Sequence, residues 1–252
     1  MGHPNMVEFA VYGDYGLFSD PITRVGGEKC SYQVPTYEAL KGILSSVYWK
    51  PTIVWYIDKV RIINQIQTEV KGIRTLKYHE TYHDKGGNDL SYYTYLKKCH
   101  YQVQAHFEWN LNREELSKDR NENKHHNIAK RMIEKGGRRD IFLGTRECQG
   151  YVEPCSFGEG EGFYDQLPEL SFGLMYHGIT YPDEAYSDET KGRMTINFWN
   201  PIMKKGVIEF VRPEECPLHK PLHEMKMKTF EDRVNFIGLE EFHCDEETEG
   251  VK

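Results

Sequence analysis

The chain has 252 residues, of which 38% are hydrophobic, 13% aromatic and 28% charged, with a formal net charge of −7. That length allows one large domain or two small ones, and that aromatic content is too high for a disordered chain. No apolar run reaches the ~18 residues of a transmembrane helix, and the N-terminus lacks a basic stretch followed by an apolar one, so neither a membrane span nor secretion is expected.

Charge is distributed unevenly. Residues 1–150 hold 22 Lys and Arg against 18 Asp and Glu, whereas residues 151–252 hold 10 against 21. The acidic average therefore does not exclude a nucleic-acid partner, because attraction for phosphate depends on the local field. Glu231–Lys252 alone carries 8 acids and 2 bases, and is expected to be a mobile tail. The six cysteines form no C-x-x-C pair, which points to reduced cytoplasmic thiols rather than a zinc ribbon or a disulfide framework.

In chain order, Val7–Tyr12 alternates as a strand and stops at Gly13-Asp14. Thr36 is placed to cap a helix whose apolar positions Tyr37, Leu40, Leu44, Val47 and Tyr48 recur at helical spacing, and Pro51 ends it. The β-branched and aromatic run Thr52–Ile63 reads as a strand, residues 64–90 as a protruding hairpin, and Tyr95–Trp109 as a third strand. Asn123 is expected to cap a helix over Lys124–Lys135, closed by Gly136-Gly137. Arg139–Phe142 and Arg146–Val152 supply a fourth strand region. The order β-α-β-hairpin-β-α-β predicts an α+β fold with a ferredoxin-like (RRM-like) βαββαβ domain over residues 1–156. Residues 157–252 read as a smaller, antiparallel β-rich domain with an acidic tail, in which Met194–Trp199 and Val207–Val211 form a hairpin around Lys204-Lys205-Gly206.

This topology has a chemical consequence. The two helices of a βαββαβ unit pack antiparallel on one face, so the end of the first lies beside the start of the second. Tyr48 is thereby expected near Lys124 and His125, at a helix N-terminus whose free N–H groups and dipole attract phosphate. His125 falls on the inward row with Ala129 and Ile133, while His126 shares an outward row with Lys130 and Glu134. Such a trio suits metal-free RNA cleavage. A histidine titrates near neutrality, a lysine opposes the extra phosphorane charge, and a tyrosine donates or positions. Read singly, each has a plainer role: a core histidine, an aromatic packing residue and a solvated charge.

Three further patterns stand out. His79-Glu-Thr-Tyr-His83 spells H-E-x-x-H, but that motif holds zinc only on a helix, and Asp84–Asp89 follows directly as a turn signal. No metal and no cofactor are therefore expected. Arg24 and Lys29 flank Gly26-Gly27, which reads equally as a phosphate nest or as a plain turn. Lys130, Arg131, Lys135, Arg138 and Arg139 cluster five bases in ten residues, either as a track for an RNA backbone or as a solvated helix face.

The motifs together resemble a known family. Phe9-Ala-Val-Tyr-Gly-Asp-Tyr-Gly-Leu-Phe-Ser-Asp-Pro21, Gly26-Gly-Glu-Lys29, Val34-Pro-Thr-Tyr37, Lys41-Gly42, Val47-Tyr-Trp-Lys-Pro-Thr52, Asn123-Lys-His125 and Gly136-Gly-Arg-Arg-Asp-Ile-Phe-Leu-Gly144 keep the order and spacing of the CRISPR-associated Cas-five family, in its subtype I-C (Dvulg) branch. Arg146-Glu-Cys-Gln-Gly-Tyr151, Gly162-Phe-Tyr-Asp165 and Arg212-Pro-Glu-Glu215 fit as well. The resemblance runs to about residue 230. It implies an endoribonuclease that cuts the repeat hairpin of CRISPR precursor RNA. It further implies that the protein stays on the 5′ handle of the guide RNA inside Cascade, beside that complex's backbone-forming and large subunits. The family's catalytic tyrosine matches Tyr48 and its Lys-His pair matches Lys124-His125. Lys50, Arg24, Lys29 and the five clustered bases are the expected RNA contacts. The alternative is a subunit that only caps the handle.

Overall fold

The computed structural model describes residues 4–76, 88–231 and 233–238. Among the described residues, two α-helices combine with mostly antiparallel sheets. β1 (Val7–Gly16), β3 (Ile53–Ile62), β5 (Asn88–Trp109) and β7 (Gln149–Pro154) lie side by side in the order β7-β1-β5-β3, each antiparallel to its neighbours. The alternation in β1 explains why. Val7, Phe9 and Val11 are buried on one face, and the register sets Phe9 opposite Val103 and Val11 opposite both Tyr101 and Val152. A one-residue slip would turn that apolar row toward the other face.

Both helices pack on the apolar face. α1 (Tyr37–Val47) contributes Leu40, Ile43, Leu44 and Val47, and α2 (Glu122–Glu134) contributes Ile128, Ala129, Met132 and Ile133 to one core with Phe9, Trp55, Val103 and Phe107. Thr36 caps α1 by accepting from the Ala39 N–H at 3.2 Å. The cap of α2 is Asn121, whose Oδ1 accepts from Lys124 N–H at 3.1 Å, so the helix starts two residues before the position expected from Asn123. Asn121 wins because its extended backbone (φ −129°, ψ 100°) lets the side chain fold back over the first turn.

Short strands complete the sheet. β2 (Lys29–Cys30) and β4 (Thr68–Leu76) both pair with the long β5, β4 forming the expected hairpin limb. The turn of that hairpin, with His79 and His83, lies outside the described residues. β6 (Ile141–Phe142) pairs with β7. Gly27, at φ 82°, closes a 3-10 turn over Thr23–Gly26 by donating to the Arg24 carbonyl, so the Gly26-Gly27 pair makes a turn.

Beyond residue 156 the chain serves two sheets. β8 (Leu170–Ser171), β11 (Ile202–Lys204) and β12 (Val207–Glu209) extend the main sheet, with β12 antiparallel to β3. β9 (Met175–Thr180), β10 (Arg193–Trp199) and β13 (Leu218–Glu224) form a separate antiparallel sheet in the order β13-β10-β9. The expected hairpin between Met194–Trp199 and Val207–Val211 is thus not formed. Pro201 has no N–H for a ladder and ends β10, and the actual hairpin joins β11 to β12 through Lys205 (φ 48°) and Gly206 (φ 79°). The second sheet is tied to α1 by the ion pair of Lys41 with Glu184 and by the Tyr37–His177 ring stack at 4.2 Å.

Candidate active site

Tyr48 sits immediately after α1. Its N–H still bonds to the Leu44 carbonyl at 2.9 Å, but its own backbone is extended (φ −156°, ψ 128°), which swings the phenol off the helix. Trp55 fixes it from below by donating Nε1–H to the Tyr48 carbonyl at 2.8 Å. His125 lies in the first turn of α2. Between β5 and α2 a 3-10 segment, Glu114–Asp119, carries the Asp119 carbonyl to 2.8 Å from His125 Nε2.

The two side chains meet. Tyr48 Oη lies 2.7 Å from His125 Nδ1, although the two residues are 77 positions apart in sequence. A carbonyl can only accept, so Nε2 carries the imidazole proton and Nδ1 receives the phenolic hydrogen bond. Rings of Phe107 and Trp109 wall the imidazole at 6.0 and 5.5 Å. Both Tyr48 and His125 are 0% exposed. Burial is the main cause that lowers the His125 pKa below its ordinary value; the Asp119 contacts oppose it and the Lys50 charge adds to it. The site thus holds a neutral imidazole at neutral pH, with the Tyr48 hydroxyl as its hydrogen-bond donor.

Asp119 is a contributor that sequence reasoning missed. Its carbonyl orients His125, its Oδ2 accepts from Thr52 Oγ1 at 2.6 Å and lies 3.6 Å from His125 Nε2. Thr52 belongs to the Val47–Thr52 motif and was legible as such; Asp119 sits in a charged loop with no periodicity to mark it.

The expected cations divide. Lys124 is exposed at the mouth of α2, and His126 is half-buried with Nε2 3.0 Å from the Met6 carbonyl rather than on an open row. Lys50 is 5% exposed, and its Nζ contacts the carbonyl oxygens of Ile237 and Gly238 at 2.7 and 3.4 Å. Lys50, Arg138 and Arg139 line one cavity of about 500 Å³ together with Ser45 and Ser46. Arg139 N–H also donates to the Ser46 carbonyl at 3.1 Å, which holds this arginine pair against the end of α1. Lys130 and Lys135 are exposed on or just after α2, and Arg131 is half-buried. Arg24 lines a different cavity, with Ser19, Thr36 and Thr145, and Lys29 stands 4.8 Å over the Tyr93 ring beside the hairpin. The basic residues therefore form one group at the α1 end and separate outliers, not one continuous set. No described helix is long and apolar enough to cross a membrane.

A chain of mixed helix and mostly antiparallel sheet with these motifs falls among the CRISPR-associated proteins, since residues 6–211 match the family described as CRISPR-associated protein (Cas_Cas5) through its Cas5d model. The chain belongs to that Cas5d family. It is 35% identical to a solved CRISPR-associated protein over 85% of this chain and 96% of that one, with a TM-score of 0.70. A functionally uncharacterized protein of Streptococcus mutans, SMU1763c, is 37% identical over the same shares, with a TM-score of 0.69. Two curated relatives carry the name CRISPR pre-crRNA endoribonuclease Cas5d. That of Mannheimia succiniciproducens is 42% identical over 65 residues, and that of Thermus thermophilus 36% over 53 residues. These stretches span 28% and 22% of the respective relatives.

Proposed function

We propose that this chain is a metal-independent endoribonuclease that cleaves CRISPR precursor RNA within the repeat hairpin and remains on the 5′ handle of the guide RNA as a subunit of type I-C Cascade. The observation that carries this reading is the 2.7 Å hydrogen bond from Tyr48 to His125 at two abutting helix ends. The names of the curated relatives support the same class of activity.

In the proposed reaction the ribose 2′-hydroxyl loses its proton and its oxygen attacks the adjacent phosphorus. The bond from phosphorus to the 5′-oxygen breaks, and that oxygen gains a proton. The products are a 2′,3′-cyclic phosphate and a 5′-hydroxyl. His125, held neutral by burial, is in the form that accepts a proton at Nδ1, and Tyr48 is in the form that donates one. Lys124, at the same helix mouth, supplies charge against the phosphorane. Lys50, Arg138 and Arg139 would hold the RNA backbone.

The sheet order β7-β1-β5-β3 with both helices on one face supports a ferredoxin-like, RRM-like reading of residues 1–156 as the catalytic and RNA-binding part. We read residues 157–252 as the smaller β-rich part; among its described residues, β8, β11 and β12 join the main sheet. The work belongs in the cytoplasm, with Cascade subunits and RNA as partners.

A second reading has its own support. Tyr48 and His125 are both fully buried, as a non-catalytic subunit that caps the guide handle would tolerate. One experiment separates the two: purified protein is incubated with CRISPR-repeat RNA in EDTA and the ends are mapped. A cyclic phosphate and a 5′-hydroxyl at one position establish the nuclease; bound but intact RNA establishes the cap.

A further inference from the structure

Tyr48 and His125 are 0% exposed, so a scissile phosphate reaches them only if something moves. The strands and helices around them are poor candidates, because Val47, Trp55, Phe107 and Ile128 belong to the main core. The C-terminal segment is different. Residues 228–238 follow β13 and lie past residue 211, where the family match ends. Their described residues lie in no strand or helix, and their described side chains are exposed except those of Phe230 and Phe236, which turn inward. Segments with few buried contacts open at low cost.

What this segment touches is the surroundings of His125. Lys50 Nζ is capped by the Ile237 and Gly238 carbonyls. Arg113, 1% exposed, donates to the Lys228 carbonyl and lies 4.8 Å under the Phe230 ring. Phe230 packs at 6.5 Å from Trp49 and 6.2 Å from Phe236, and Lys50 stands 5.9 Å over Phe236. Gly238 fits so closely against Asp119 that an added Cβ would meet Oδ1 at 2.7 Å. Phe230, Arg233 and Phe236 face Lys50, Arg138 and Arg139 across the 500 Å³ cavity.

These contacts imitate those of a single-stranded nucleic acid: oxygens on cations, and rings on aromatic or cationic side chains. We propose that residues 228–238 are an intrachain strap occupying the path by which RNA enters the Tyr48–His125 site, and that RNA binding displaces it. The proposal rests on the reading of this site as the place where RNA is bound.

The test uses the full chain carrying Phe230→Ala and Phe236→Ala together, and a 2′-O-methylated CRISPR-repeat hairpin that cannot be cut. Fluorescence anisotropy should show roughly tenfold tighter binding than wild type, as expected if the open form is about a tenth of the wild-type population. Unchanged or weaker binding overturns the strap. A second measurement keeps the wild-type chain. The amides of Arg233, Val234 and Asn235, which bond within the segment, should exchange about tenfold more slowly in free protein than once the hairpin is saturating. Protection that survives RNA binding also overturns it. Neither readout needs cleavage, so a protein that never cuts but gains affinity ends the nuclease reading alone. One that cuts but gains no affinity ends the strap alone.

Discussion

Tyr48 donates to His125 Nδ1 across the junction where the C-terminal end of α1 meets the first turn of α2, while Asp119 holds the opposite ring nitrogen. The imidazole is therefore locked as one tautomer, with its lone pair aimed at a phenol. A residue buried only for packing would be as well served by an apolar ring, since burying polar groups costs stability unless each finds a partner.

His125→Ala is expected to lower the cleavage rate at least ~100-fold while repeat-RNA affinity stays within about threefold. The variant should also unfold more easily, by about 2–4 kcal/mol, because a cavity opens in the packed junction and the two hydrogen bonds of the imidazole, to the Tyr48 hydroxyl and the Asp119 carbonyl, are lost. Single-turnover cleavage beside a denaturant melt checks both. A normal rate in a destabilised protein would leave His125 as a core residue.

Tyr48→Phe removes one oxygen and keeps the ring against the core. It should cost about 1 kcal/mol of stability and slow cleavage about 10–100-fold. If the rate matches wild type, Tyr48 packs and positions nothing.

The pH profile has a defined sign. Burial lowers the His125 pKa, so its neutral form persists below the ordinary histidine range near 6.5. The cleavage rate should stay level as pH falls to 6.5 and drop only further down, on a limb whose midpoint is below 6.5. A midpoint at or above that value contradicts a desolvated histidine as the base.

Stability carries a related dependence from another histidine. His177 is buried between Tyr37 and Trp199 and its pKa is pushed down to about 4, mainly by desolvation, with the Lys41 and His219 charges adding to it. Between pH 6.5 and 4 the unfolded chain binds a proton that the folded chain refuses. Stability is therefore complete above pH 6.5 and is lost on acidification, by about 3 kcal/mol from this one group once pH falls through 4. Urea melts at pH 7 and pH 4 on wild type and His177→Leu should show a smaller pH difference in the variant. Equal differences would mean the histidine is not desolvated.

Replacing Lys124 by Ala should reduce the rate about 100-fold with little change in binding, whereas Arg138→Ala should weaken binding to every RNA and shrink the salt slope by about 1. Rates and salt-dependent anisotropy on both variants separate a charge acting on the phosphorane from one tracking the backbone. Identical profiles for the two would dissolve that distinction.

Much of the scaffold was legible because its signals are local. The Thr36 cap, the stop at Pro51 and the alternation of Val7–Tyr12 each follow from a few neighbouring residues, and they place Tyr48 at a helix end. The motif Val47–Thr52 marked Thr52 and Lys50 as well. Less legible was the choice of Asn121 over Asn123 as cap, since either side chain can accept and only backbone angles decide. The fate of Met194–Trp199 depended on partners more than 15 residues away in β13, which periodicity cannot name.

Residue types and helical spacing determined, without coordinates, that a phenol and an imidazole would end on facing helix tips. Three-dimensional packing alone decided that the pair would be sealed from solvent. It also decided that Asp119 would hold the imidazole and that residues 228–238 would lie across the adjoining cations. The reason is physical. Helix caps and apolar periods are short-range properties of the chain, whereas desolvation and docking depend on which distant segments share a surface.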